Sequence, residues 1–152
     1  MNDEELLKKQ LEVLITLAKS DSNTNETIVF EANPEILEQM GRQFEKDLSG
    51  YNFQIDMYAI RHIFKEHTNT KKEESRGQVV ISESDILLVF DVLNQPDLFF
   101  YDGKSRLGKD IFVFQKLIGN RYVIIKEVRE EKKKISLHSM RIFKTKENQN
   151  QI

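Results

Sequence analysis

The chain of 152 residues contains no cysteine and no tryptophan, and only two prolines and six glycines. The lack of cysteine excludes disulfide bonds, thiolate zinc sites and a cysteine nucleophile. No apolar run approaches the ~18 residues that a membrane-spanning helix needs, and the acidic start, Asn2 to Glu5, does not resemble a signal peptide. With 39 % hydrophobic and 32 % charged residues, the composition predicts a cytoplasmic globular protein without a membrane partner.

The net charge of −2 conceals an uneven distribution. Residues 1–102 contain 10 Lys+Arg and 20 Asp+Glu, whereas residues 103–146 contain 13 Lys+Arg and 4 Asp+Glu. This polarity has two interpretations: the basic part binds an anionic partner, or the two parts attract each other and are otherwise solvated.

Apolar residues at helical spacing predict four helices in the first two thirds of the chain. The predicted helices cover 4–18, 34 to about 48, 55–67, and from Ser82 or Ser84 to about Leu93. Thr27 to Ala32 has strand character, and 69–77 is predicted to be a charged loop.

After Pro96 the apolar period changes to two, which predicts four strands with hairpin-length connections. The predicted strands cover about 98–101, 110–118, 121–129 and 134–144. We therefore expect an α+β fold with N-terminal helices on one face of a C-terminal four-stranded antiparallel sheet. The predicted organisation is a helix and connector (1–27), one domain (28–146) and a frayed tail (147–152).

All three histidines lie in two short stretches, 61–67 and 136–141. Histidine transfers protons near neutral pH, and lysine or arginine stabilises a phosphate that gains negative charge. These residue types suit RNA cleavage without a metal: a base removes the 2′-hydroxyl proton and an acid protonates the leaving 5′-oxygen. No metal site and no cofactor are predicted, because the HExxH spacing and a glycine-rich phosphate loop are both missing.

Each candidate also has a structural interpretation. His67 shares an apolar helix face with Ile60 and Ile63, which also fits a half-buried histidine in the core, and His62 also fits an exposed histidine paired with Glu66. Lys116 shares one strand face with phenylalanines. This position fits a functional lysine, and it also fits an edge residue whose side chain reaches solvent. On the last strand, either the face of Ser139 or that of His138 packs against the helices.

The segment 55–144 resembles the phage-type barnase–EndoU–colicin–RelE-like nuclease superfamily over 90 of the 152 residues. The matching pieces occur in the same order along the chain, at 55–56, 60–67, 76–78, 81, 85–86, 93–97, 111–116, 122–125 and 137–141. The resemblance implies a barnase/RelE-like fold and metal-independent ribonuclease activity in a toxin-like protein of phage or mobile-element type. RNA is therefore the expected partner, and an inhibitor or partner protein stays open. The expected location is the cytoplasm, of the producing or of the host cell.

By position, the resemblance implies a catalytic site with His62 and His67 as the acid–base pair. It also implies Lys116 and the hydroxyl of Ser139 as site residues, and we expect Lys116 to stabilise the phosphate and Ser139 to be a positioning hydroxyl. Arg141 stands where the family pattern has an aromatic residue, and we expect it to stabilise the phosphate through its charge. Substrate contacts are expected from a second, mostly basic set: Arg61, Lys65, Lys126, His138 and Lys144.

Two other functions stay open at this point. The family pattern has an aromatic residue where Arg141 stands, which favours a catalytically inactive relative that binds RNA or a protein. In that case the stripe of Leu6, Leu7, Leu11 and Leu14 is expected to pair with a second chain. The third alternative is an accessory structural protein of a phage or mobile element without a nucleic-acid role.

Overall fold

The computed structural model describes residues 3–20, 25–67 and 69–144. Part of the connector 20–26 and the whole of the tail 147–152 lie outside these ranges. Over the described residues the chain forms six α-helices and six β-strands. The helices are α1 (Asp3–Lys19), α2 (Pro34–Phe44), α3 (Met57–His67), α4 (Thr70–Ser75), α5 (Glu83–Leu87) and α6 (Val89–Asn94). The strands are β1 (Thr27–Glu31), β2 (Asn52–Asp56), β3 (Leu98–Lys104), β4 (Asp110–Ile118), β5 (Asn120–Arg129) and β6 (Lys134–Phe143).

The strands form one six-stranded sheet in the order β1-β2-β6-β5-β4-β3. Every neighbouring pair is antiparallel except β2 and β6, which run parallel. The predicted α+β class is confirmed, but the prediction of four antiparallel strands is wrong. The two N-terminal strands, β1 and β2, extend the predicted sheet beyond its last strand.

The boundaries of two predicted helices, 55–67 and Ser82/Ser84 to Leu93, differ from those in the structure. Residues 55 and 56 belong to β2, and α3 begins at Met57 with no residue between the two elements. The predicted fourth helix is divided at Leu88 into α5 and α6. Its start is as predicted, because the Ser82 hydroxyl accepts the Asp85 N–H in a capping box. The predicted loop at 69–77 contains the short helix α4.

The core lies between the helices and one face of the sheet. Alternate strand residues such as Phe53, Phe112 and Phe114 are buried there against the helices. Leu11 and Leu14 belong to this same core, so the prediction that they pair with a second chain is wrong; Leu6 is 48 % exposed. Within the described ranges, no helix has both the length and the apolarity needed to cross a bilayer.

The opposite face of the sheet is more polar. Aligned side chains cross it in rows set by the strand register, including the row Gln54, Ser136 and Glu127 and the row Arg141, Val123 and Gln115. This face, called the open face below, carries the side chains that alternate with those of the core.

Candidate functional site

The candidate site lies at one edge of β6. The parallel pairing with β2 covers only residues 134–136 of β6, and Gln78 forms a bridge to Phe143 further along the same edge. Among the described residues, no strand pairs with this edge over 137–141. Because α3 follows β2 directly, the helix packs against β6 here. A cavity of about 250 Å³ occupies the junction and is lined by His62, Glu66, Arg76, Gln78, Ser139 and Arg141.

A β-bulge decides which side chains of β6 reach the site. In the pairing with β5, Ser139 lies opposite Ile125 and Leu137 lies opposite the next residue, Lys126. His138 is therefore the extra residue of the bulge, with no residue of β5 directly opposite it. Leu137 and Met140 therefore both face the core, although simple alternation would place them on opposite faces. The sequence analysis expected either the face of Ser139 or the face of His138 to pack against the helices, but the bulge divides both sets of side chains between the core and the opposite face. The bulge presents His138 to solvent and places Ser139 and Arg141 at the cavity.

The structure brings His62 and His138 together. Their ring centroids are 6.2 Å apart, with 31° between the ring planes. His62 lies on α3, whose first turn is capped by Asp56: its Oδ1 accepts the Ala59 N–H at 2.8 Å. His67 is the last residue of α3, and its side chain lies outside the described part of the chain.

Charged side chains of the open face surround His138. Its Nδ1 lies 3.7 Å from Oε2 of Glu127, and Oε1 of Glu127 lies 3.5 Å from Nε of Arg129. The Nη1 atom of Arg129 is in turn 3.9 Å from Oδ2 of Asp56. A continuous series of charge contacts therefore runs from His138 to the residue that caps α3.

Two cavity residues, Arg76 and Gln78, were not predicted as site residues. Gln78 is 5 % exposed, and its Oε1 is a buried side-chain atom that has no hydrogen-bond partner among the described residues. The one feature of the sequence that could have identified both as site residues is their position in the segment 76–78, which matches the resembled family. A glutamine or arginine in a short loop carries no stronger local signature.

Lys116 does not reach this site. It lies on β4, separated from β6 by β5. Its Nζ donates a hydrogen bond of 2.6 Å to the Gln95 carbonyl and lies 3.8 Å from a carboxylate oxygen of Asp97. Lys116 is not an edge residue that reaches solvent, because β4 lies between β3 and β5. Its ammonium instead holds the chain between α6 and β3.

Lys126 was expected to contact substrate but is fully buried. It lies on the core face of β5, with Nζ 5.0 Å from the centroid of the Phe53 ring and 3.4 Å from the Gln54 carbonyl oxygen. Burial lowers the pKa of this ammonium to about 7, although the Asp56 carboxylate opposes the shift. The core packing thus leaves its side chain no surface that RNA could contact.

The remaining predicted contacts are on or near the same elements. Lys65 is exposed and Arg61 is half-buried on α3, and Lys144 is exposed directly after β6, where its N–H donates to the Gly77 carbonyl. In the described ranges, no three histidine or acidic side chains are grouped so that they could hold a metal ion.

An α+β fold with two facing histidines and two arginines beside a sheet-edge cavity fits a nuclease. The family model described as phage-Barnase-EndoU-ColicinE5/D-RelE like nuclease3 matches residues 26–150, and the chain belongs to this family. The resemblance seen in the sequence is thereby confirmed. Comparison with curated proteins found no match, and comparison with solved structures found none.

Proposed function

We propose that this nuclease domain cleaves RNA by transphosphorylation, with acid–base groups supplied by its own side chains. The observation that carries the proposal is the facing pair of imidazoles, His62 and His138, with ring centroids 6.2 Å apart beside the cavity. Cleavage at a 2′-hydroxyl needs two proton-transfer groups: one removes the hydroxyl proton, and the other protonates the leaving 5′-oxygen. Histidine is suited to both roles near neutral pH.

The other cavity residues supply the remaining requirements of the reaction. Arg76, from the turn after α4, and Arg141, from β6, both line the cavity. In the proposed reaction their guanidinium groups stabilise the phosphate as it gains negative charge. The Ser139 hydroxyl is a positioning group, as the family resemblance implies. The unpaired Oε1 of Gln78 is an acceptor for a ribose hydroxyl or a base amino group.

His67 is a further candidate for the acid–base pair. It follows His62 by five residues, which corresponds to a rotation of ~140° around an ideal helix. We assign the pair to His62 and His138 because the structure brings these two rings together. Lys116 has no role in this assignment, since its ammonium is engaged by Gln95 and Asp97.

The open face provides a path for the RNA strand. Basic side chains of β5 and β6, among them Arg121, Arg129 and Arg141, are half-buried or exposed on it around the apolar side chains of Val123 and Ile125. Contacts of this kind bind the phosphate backbone largely without regard to sequence.

The test is incubation of the purified protein with total RNA in EDTA, alongside the single variants His62→Ala, His138→Ala and His67→Ala. We expect cleavage with cyclic phosphate ends, and a loss of about 10²- to 10⁴-fold in the first two variants. Lys132→Ala, in the exposed turn before β6, is the matched control and keeps full activity. DNA stays intact because it lacks the 2′-hydroxyl. Unchanged cleavage by both His62→Ala and His138→Ala would contradict the assignment.

The second candidate is a catalytically inactive relative that binds RNA. The observation that favours it is Arg141, a phosphate-binding residue at the position where the resembled family has an aromatic one. In this case RNA stays intact with every variant, and its binding weakens steeply with salt. Arg141→Ala is then expected to reduce the slope of log K against log salt by about one.

A further inference from the structure

The bulge in β6 turns one histidine toward a carboxylate of the neighbouring strand. His138 is the extra residue of the bulge and its side chain is 53 % exposed. Glu127, on β5, is 18 % exposed and places Oε2 at 3.7 Å from Nδ1 of His138. A β-bulge commonly re-aims a side chain in this way.

We propose that Glu127 is a positioning residue for His138: its carboxylate closes the 3.7 Å gap to Nδ1 and accepts a hydrogen bond from the Nδ1–H, so that Nε2 is the nitrogen presented to a substrate. The chemical consequence of this orientation rests on the proposed RNA cleavage. The orientation itself does not, because it follows from the contact between the two side chains.

The charges around Glu127 support this role. Arg129 lies within 4 Å of two carboxylates, Glu127 at 3.5 Å and Asp56 at 3.9 Å. One guanidinium thus faces both carboxylates, and the second oxygen of Glu127, Oε2, is directed at the imidazole. Asp56 and Glu127 are both largely shielded from solvent, where charge interactions are stronger than those of exposed pairs.

The same contacts connect the two histidines. Asp56 holds the first turn of α3 through the Ala59 N–H, and α3 carries His62. The series from Asp56 through Arg129 and Glu127 to His138 therefore ties the position of the bulge to that of the helix. Groups that orient a metal-bound histidine through its second nitrogen contribute about 10- to 100-fold to metal affinity or activity, and we expect an effect of the same size for a histidine that transfers a proton.

The experiment reads the proton position directly, by two-bond ¹H–¹⁵N NMR of the imidazole nitrogens at about pH 8, where a free imidazole is neutral. In the wild-type protein we expect His138 to carry its proton on Nδ1. In Glu127→Ala we expect the Nε2–H form, which free histidine prefers. Glu127→Gln keeps an acceptor oxygen and is expected to retain the Nδ1–H form. Glu131→Ala removes an exposed carboxylate after β5 that pairs with Lys109, and leaves the spectrum of His138 unchanged.

In RNA cleavage, Glu127→Ala is expected to lower kcat by about 10- to 100-fold with little change in KM, and Glu127→Gln to recover most of it. An Nε2–H form of His138 in the wild-type protein would overturn the inference, and so would an unchanged form in Glu127→Ala. The wild-type spectrum is decisive even if a variant does not fold. If the proton position shifts as expected but the wild-type protein cleaves no RNA, the proposed function fails and the positioning role stands.

Discussion

Replacing Lys126 with methionine is expected to stabilise the protein in a pH-dependent way. The Lys126 side chain is 0 % exposed, and the contacts of its ammonium are the Phe53 ring face at 5.0 Å and the Gln54 carbonyl at 3.4 Å. Desolvation favours the neutral amine, which lowers the pKa to about 7 from the ordinary value of 10.5. Methionine has a similar length, fills irregular core space and carries no charge.

The direction follows from proton binding in the two states. Between about pH 7 and 10.5 the unfolded chain holds a proton on Lys126 that the folded protein does not, so the free energy of unfolding rises with pH. The slope is about 1.4 kcal/mol per pH unit for one such group. From about pH 6 to about pH 9, this residue alone raises the stability of the wild-type protein by about 3 kcal/mol. Lys126→Met lacks this contribution, so its advantage over wild type is largest at about pH 6 and shrinks by about 3 kcal/mol at about pH 9.

Urea unfolding at about pH 6, 7.5 and 9 measures the effect. Lys132→Met is the matched control, because Lys132 lies exposed in the turn before β6 and its replacement leaves the pH dependence unchanged. Equal pH slopes for wild type and Lys126→Met would refute the reasoning. The ammonium would then be as well solvated in the folded protein as in the unfolded chain.

Three further substitutions test the packing in urea unfolding experiments. Gly41→Ala places a Cβ against the carbonyl oxygen of Lys46, a backbone atom, and is expected to cost about 1–3 kcal/mol; wild-type stability would show that this loop moves freely. Tyr122→Phe removes the 2.7 Å hydrogen bond from the phenol to Asp85 and is expected to cost about 1–2 kcal/mol, so an unchanged midpoint would mean that water replaces it. Ser82→Ala breaks the capping box of α5 at about 1 kcal/mol, whereas Ser82→Thr keeps the hydroxyl that contacts Asp85 and is expected to retain wild-type stability.

The elements predicted well are those whose signal is local. α1 and α2 have an apolar residue every three or four positions, and Asn33 caps α2 as expected, with its Oδ1 accepting the Glu35 N–H at 3.0 Å. The strands β3 to β6 are rich in aromatic and β-branched residues and are separated by short turns. β2 was missed because Phe53 and Ile55 lead into the apolar face of α3 without a turn.

The candidate site was predicted in part. The sequence suggested His62 as an acid–base residue, His138 as a substrate contact and Arg141 as a phosphate stabiliser. The resemblance to a nuclease family, indicated by the order of short motifs, added Ser139. The pairing of His62 with His138, in place of His62 with His67, depends on where α3 packs against β6. That packing follows from the parallel contact of β2 with β6, which joins residues as far apart as Gln54 and Ser136.

The sequence by itself therefore determined the helical and strand periods, the residue types of the site and the family. Only the tertiary structure decided which side chains meet. One bulge shifts the alternation of β6, which turns His138 outward beside Glu127 and leaves Leu137 and Met140 in the core. The β5 register buries Lys126, a residue that charge alone assigns to the surface. Register is set by pairing between distant segments, and a one-residue shift moves a side chain to the other face of a sheet.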